Sequence, residues 1–256
     1  SVLTILGIVI GVAAVIVMVT LGDGATRQVT TQIESLGTNL LMIRVGQHMG
    51  PGQSSNAPPF SLADTVAVGR DVSSVRAVAP SASQSMIAIV GNSNWSTSVT
   101  GTDNAFFSVR NWTLESGRLF SDGDLQGGRS VCVIGATVRK ELFGALDPIG
   151  EKIRLKSMAC QVIGLLQSKG QSSMGSDQDD LVLMPLRTFQ RRIAGNQDVS
   201  LIQVSIRDGE ATDSAKGELE RLLRERRHIR PGEQDNFSVR DMKEIASMLT
   251  GTTQVL

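Results

Sequence analysis

Two cysteines, Cys132 and Cys160, and two histidines, His48 and His228, are the whole stock of thiol and imidazole chemistry in the 256 residues. The histidines fall in different segments, with no acidic residue three or four positions on to orient them. No HExxH, GxSxG, GxxxxGK[ST] or CxxC pattern occurs, so zinc hydrolysis, acyl transfer, nucleotide hydrolysis and dithiol redox chemistry lack their residues. Asp177, Asp179 and Asp180 gather three carboxylates, but the loop lacks the glycine and terminal glutamate of a calcium loop and reads as a solvated turn. The two cysteines sit on separate expected strands. An oxidising compartment would favour a disulfide between them, while free cysteine is equally a good small core residue. Both readings stay open. Asn94-Trp95-Ser96 and Asn111-Trp112-Thr113 match a glycosylation pattern and carry no weight. The expectation is therefore no catalytic residue, no metal ligands and no cofactor site in this segment.

Charge narrows the classes further. Lys plus Arg number 25 and Asp plus Glu 25, a formal net charge of zero, which argues against a nucleic-acid surface. Tyrosine is absent and tryptophan occurs twice, so no series of stacking platforms is available.

The elements that must position whatever function exists begin with an apolar run. Ser1 to Gly22 carries no charge, and Leu3 to Leu21 as a helix would span about 28 Å. A bilayer core is about 30 Å thick, so residues 1–22 read as a transmembrane helix. A cleaved signal fits poorly, for want of a basic start and a small-residue cleavage site. Beginning on Ser1, the chain reads as a piece of a longer membrane protein. Gly7, Gly11 and Ala14 share one helix face and would let another helix approach closely. Residues 23–38 continue the helical period as a stalk, with Val29, Ile33 and Leu36 on one stripe and Gly37 as the stop. Only Arg27 and Arg44 follow the span closely, which places the large soluble part outside the cytoplasm.

Beyond the stalk the chain reads as α+β. Residues 39–45, a capped helix at 62–70 announced by Ser61 and Asp64, and a strand from Val75 make one β-α-β unit. Residues 200–207, a helix over 212–228 buried through Ala215, Leu219, Leu222 and Leu223, and a strand at 236–240 make a second. Glu220 and Arg224 are expected to pair on that helix's exposed face. The α/β domain thus comprises 39–100 and 200–240. An inserted, mostly β subdomain, 101–199, holds strands at 131–135, 152–155, 160–166 and 181–186, with short helices ending at Gly144 and Gly195. Residues 241–256, amphipathic through Met242, Ile245 and Leu249, read as a second stalk leading to another span.

Taken together, LTILGIVIGVAAVIVMVTLGDGA, QIESLGTNLLMI, ESGRLF, SVCVIGATVRKELFG, DPIGEKIRL, CQVIGLL and GSDQDDLVLMPL resemble, in order, the MacB-type ABC transporter permeases. The resemblance extends over essentially the whole chain and touches the pyoverdine-type siderophore exporter subset. It implies a Porter-like domain of two β-α-β units carrying a Sabre-like insert, lying in the periplasm between two inner-membrane helices. It also implies a homodimer, a nucleotide-binding domain elsewhere that holds ATP and Mg, a periplasmic adaptor (membrane fusion) protein and an outer-membrane channel. The implied function is coupling of cytoplasmic ATP hydrolysis to export through a tripartite pump. A membrane-anchored periplasmic sensor, a lipoprotein-releasing permease domain and a tethered secreted enzyme are the competing classes. The missing catalytic residues count against the last, and the second stalk favours transport over a single-anchor sensor.

Overall fold

The computed structural model describes residues 39–46, 57–172 and 175–241. The expected span at 1–22 with Gly7, Gly11 and Ala14, the stalk with Val29, Ile33 and Leu36, and the second stalk beyond Asp241 lie outside the described residues. Among the described residues no helix is long and apolar enough to cross a membrane.

The elements run β1 (Leu40–Val45), α1 (Leu62–Asp71), β2 (Val75–Val90), β3 (Ser93–Thr102), α2 (Ala105–Val109), β4 (Leu114–Gly117), α3 (Asp122–Gly127), β5 (Val131–Ile134) and α4 (Ala136–Phe143). There follow β6 (Lys152–Leu155), β7 (Met158–Leu166), β8 (Leu181–Pro185), α5 (Leu186–Phe189) with a π-helical turn at Gln190–Ala194, β9 (Leu201–Ile206), α6 (Thr212–Arg226) and β10 (Phe237–Asp241).

The two β-α-β units are interleaved. The strand order is β10-β1-β9-β2, and every neighbouring pair is antiparallel. Each unit's own two strands are therefore parallel, with a strand of the other unit between them, the ferredoxin-like split arrangement. The register puts Leu41 opposite Val204, and Ile43 opposite both Ile202 and Val239. These side chains form one apolar face, covered by Val68 of α1 and by Leu219 and Leu223 of α6. Each such aliphatic side chain contributes about 1.5–3 kcal/mol on burial. The opposite face, through Leu40 and Met42, packs with Phe106 and Phe107 of α2.

The long strand β2 belongs to two layers. Val75 to Ser81 pairs with β9, and Ala82 to Val90 pairs with β3. From there the pairing runs β2-β3-β8-β5-β7-β6 and returns to β2, closing a six-stranded barrel. Alternation along β6 and β7 points Ile153, Leu155, Cys160 and Val162 inward, while Lys152, Arg154 and Gln161 face out. Helix α4 packs across β2, β3, β7 and β8 and joins this core through Val138 and Leu142. Closure leaves these six strands with few open edges.

Strand pairing divides the layers at Ala82, whereas the sequence reading began the insert at Gly101. The division escapes the sequence because no turn interrupts Val75 to Val90, and because β3 (SNWSTSVTGT) is too polar to announce a strand. The short α2, β4 and α3 likewise lack the length for a readable period.

Candidate functional site

The chain enters the described structure on β1 and leaves it on β10, and these two strands are antiparallel neighbours with Leu41 opposite Asp241. Neighbouring strands lie about 4.8 Å apart, so entry and exit share one point of the sheet. This junction is the candidate functional site: a force applied where the described residues begin and end is received by two hydrogen-bonded strands together.

Three arginines at the C-terminal end of α6 tie this helix to α1, to the turn before β10 and to the segment before α1. Arg226 Nε donates to Asp64 Oδ1 at 2.8 Å, tying α6 to the capping box of α1. Within that box Ser61 N donates to Asp64 Oδ2 at 2.8 Å, and Asp64 N donates to Ser61 Oγ at 3.2 Å. Burial works to raise the Asp64 pKa, but the Ser61 and Arg226 donors outweigh it and hold the carboxyl below its ordinary value. Arg224 pairs with Asp235 and donates to the carbonyls of Arg230 and Glu233, both at 3.1 Å, fastening α6 to the turn before β10. The expected Glu220–Arg224 pair is thus replaced by partners in the turn before β10, where Arg224 meets a half-buried carboxylate and two backbone carbonyls at once. Arg227 donates to Asn236 and, at 2.6 Å, to the Pro58 carbonyl, while its guanidinium lies 4.8 Å from the Phe60 ring centroid. Phe60 in turn bridges Val199 ahead of β9.

Two clefts flank this block. One, of about 320 Å³, runs between α1 and the free edge of β2 and is lined by Leu62, Val66, Gly69, Val78 and Asp103. Val66 is 61 % exposed there. Burial raises the Asp103 pKa even though its carboxyl accepts from Ala105 N at 3.0 Å. The second cleft, of about 210 Å³, shares Leu62 and adds Arg187 and Arg191. Neither contains a nucleophile beside a base.

The barrel carries its own fasteners. Asp124 is fully buried, accepts from Arg118 at 2.7 Å and closes a capping box with Ser121 at the start of α3. Asp179 is buried, accepting from Ser168 Oγ, from Lys169 N at 2.8 Å and from Gly170 N at 3.0 Å. Asp180 accepts from the Trp95 indole at 3.0 Å, and Asp177 from Thr137 at 2.6 Å. The solvated turn expected at these aspartates is therefore corrected in part: Asp177 is exposed, Asp180 is half-buried against the Trp95 indole, and Asp179 is buried, where it satisfies the donors of its own loop. Gly135 belongs to the same knot, since a Cβ there would meet the Asp179 carbonyl at 2.1 Å. Cys132 on β5 and Cys160 on β7 are joined as a disulfide, with Cα atoms 5.9 Å apart. Among the described residues no group of three His, Cys, Asp or Glu could hold a metal ion. The residues on which the sequence reading placed helix packing and stalk coupling lie outside the described residues. The roles of Arg226 and Arg227 are not legible from spacing, because Asp64 and the Pro58 carbonyl lie more than 160 residues away; Arg224 is read as exposed, and its partners in the following turn depend on how that turn folds back.

Among known proteins, the family described as MacB-like periplasmic core domain matches residues 1–222. The macrolide export ATP-binding/permease protein MacB of Chlorobium luteolum is 36 % identical over 100 % of this chain and 39 % of its own length. That of Bdellovibrio bacteriovorus is 36 % identical over 99 % of this chain and 40 % of its own. The chain thus spans about two-fifths of these relatives. In structure, the periplasmic region of MacB from Actinobacillus actinomycetemcomitans superposes with a TM-score of 0.71 at 24 % identity, covering 85 % of this chain and 95 % of that one. The extracellular domain of the ABC-type transporter YknZ from Gram-positive bacteria gives 0.63 at 20 % identity, covering 79 % and 100 %. These two likenesses show the fold alone.

Proposed function

Because the chain belongs to the family of MacB-like periplasmic core domains, we propose that it is the extracytoplasmic domain of an ABC-type efflux permease in a bacterial inner membrane. In this reading the domain receives ATP-driven motion from two membrane-anchored stalks and transmits it to a periplasmic pump. The observation that supports it most is the register of β1 with β10, which sets the first and last described strands side by side on a sheet covered by α1 and α6. The relatives' description as macrolide export proteins supports an outward transport role. The parent protein would work as a homodimer, with ATP and Mg on a nucleotide-binding domain outside this chain. A periplasmic adaptor and an outer-membrane channel would complete the tripartite path.

The test is Ile33→Pro in the full transporter. Proline within the stalk removes a helix hydrogen bond and clashes with the preceding turn, costing about 3 kcal/mol or more. Substrate efflux and ATP hydrolysis are measured in the same membranes. Retained hydrolysis with lost export is expected, and Gln32→Ser, off the stripe, leaves both intact. Normal export by a correctly inserted Ile33→Pro protein would reduce the stalk to a tether and return the sensor reading.

A further inference from the structure

The layer β10-β1-β9-β2 has two edges, and the second is the first half of β2. Over Val75 to Ser81, β9 lies on one side, and no strand among the described residues is paired on the other. Ladder alternation says which backbone groups that open side receives. Ile206 N donates to Asn39 O, so Ile206, Val204 and Ile202 turn their backbone groups to β1. Ser205 and Gln203 turn theirs to β2, opposite Ala77 and Ala79. Val78 and Pro80, in alternation with these, face away from β9. Pro80 has no N–H, and its carbonyl accepts from Thr102 Oγ1 at 2.8 Å, which closes that end of the edge. Val78 is left with its N–H and C=O on the open side.

Helix α1 runs beside this edge. Leu62, Thr65, Val66 and Gly69 recur at helical spacing and, with Val78, line the cleft of about 320 Å³. Leu62 and Val66 are both exposed there. A Cβ at Gly69 would stand 3.5 Å from Val78 Cγ2, so the helix offers a bare wall opposite the strand at that point. Arginines flank the trough. Arg76 lies in the first cleft, in a long and exposed pair with Asp208 at 3.8 Å. Past Leu62, which lines both clefts, the second cleft holds Arg187 and Arg191 and no carboxylate. Asp103, the carboxylate of the first cleft, is engaged at the start of α2, where it accepts from Ala105 N at 3.0 Å.

An open N–H and C=O on a strand edge are matched by the backbone of another extended chain, and a helix alongside gives that chain's side chains a trough. We propose that the β2 edge and the face of α1 carrying Leu62, Val66 and Gly69 form a strand-addition site for an extended, acidic segment of a partner protein. The segment's backbone pairs with Val78, an apolar side chain lies against Leu62 and Val66, and a carboxylate meets Arg187 and Arg191, whose guanidiniums match it in charge and geometry. Strand β2 is separated from β1 by β9, so the site is distinct from the β1–β10 junction and does not depend on the coupling proposed there.

The experiment uses the full chain in detergent and a dye-labelled peptide of seven residues that alternates valine with threonine and ends in two glutamates. Fluorescence anisotropy should show saturable binding. An analogue N-methylated at every amide keeps the side chains and charge but cannot pair as a strand, and it should not bind. An analogue ending in two lysines should bind several-fold more weakly. Gly69→Leu fills the trough from an exposed helix position and should weaken the acidic peptide at least tenfold, Arg191→Gln several-fold, while Arg221→Gln on the outer face of α6 leaves it unchanged. Val66→Glu, also on the exposed face of α1, stays informative if Gly69→Leu does not fold. No saturable binding of the acidic peptide would overturn the site, as would equal binding of the N-methylated analogue or binding that survives both Gly69→Leu and Val66→Glu. Light scattering supplies the remaining arm: a dimer mass that Gly69→Leu halves would give the edge to a second copy of this chain and overturn the proposal as well.

Discussion

At the scale of single residues, the aspartates show how little of a side chain's role is written in its neighbours along the chain. The Ser61–Asp64 capping box is local, three residues apart, and is legible from spacing alone. Asp124 forms the same box with Ser121, yet its main charge partner, Arg118, lies before the helix and reaches back across the turn. Burial pushes the Asp124 pKa up, but the Arg118 and Ser121 donors prevail and hold it below its ordinary value. A group whose folded pKa is depressed adds stability that is present above its unfolded value, about 3.9, and lost as pH falls through the folded one. The thermal midpoint should therefore drop as pH is lowered from about 5 to about 3, and drop less steeply in Asp124→Asn. Asp124→Ala, which loses a cap and strands Arg118, should cost about 2 kcal/mol at neutral pH by urea unfolding, the half-exposed arginine softening the loss.

Elements follow their periodicity where they are long and half-buried. Helix α6 buries Ala215, Leu219 and Leu223 of the stripe that the sequence assigns to it, while Leu222, expected with them, is only partly buried at the edge of the core, and β6 alternates strictly. Helix α1 is more telling because its two valines have opposite fates: Val68 is fully buried under the sheet, while Val66 opens on the cleft beside β2. Val68→Ser should therefore cost about 2–3 kcal/mol, through lost burial and an unpaired hydroxyl. Val66→Ser should stay within about 0.5 kcal/mol. Urea midpoints of the two variants check this, and equal losses would mean that the helix is rotated from its described position. Strand β3 marks where period fails: its polar outer half hides a pairing partner that only the barrel supplies.

At the scale of the molecule, the shared strand β2 fastens the ferredoxin-like layer to the barrel, and the disulfide sits inside the barrel wall between β5 and β7. Closing a loop of 28 residues should stabilise the oxidised protein by about 3.5 kcal/mol through restriction of the unfolded chain. Thiol labelling of oxidised, denatured protein should find no free thiol, reduction should release two, and the reduced form should melt lower. Two reactive thiols before reduction would remove the bridge. Local pattern in the chain determined what local physics governs: the apolar run of Ser1 to Gly22, the α+β alternation, the capped helices and the want of any acid, base and nucleophile constellation. Only the tertiary structure decided the interleaving of the two β-α-β units, the barrel's closure through β6, the burial of Asp179 and the tie between Arg226 and Asp64. Each of these depends on strand order or on contacts between segments far apart in the chain. Hydrophobic period is blind to both, because it records which face of an element is buried and not what buries it.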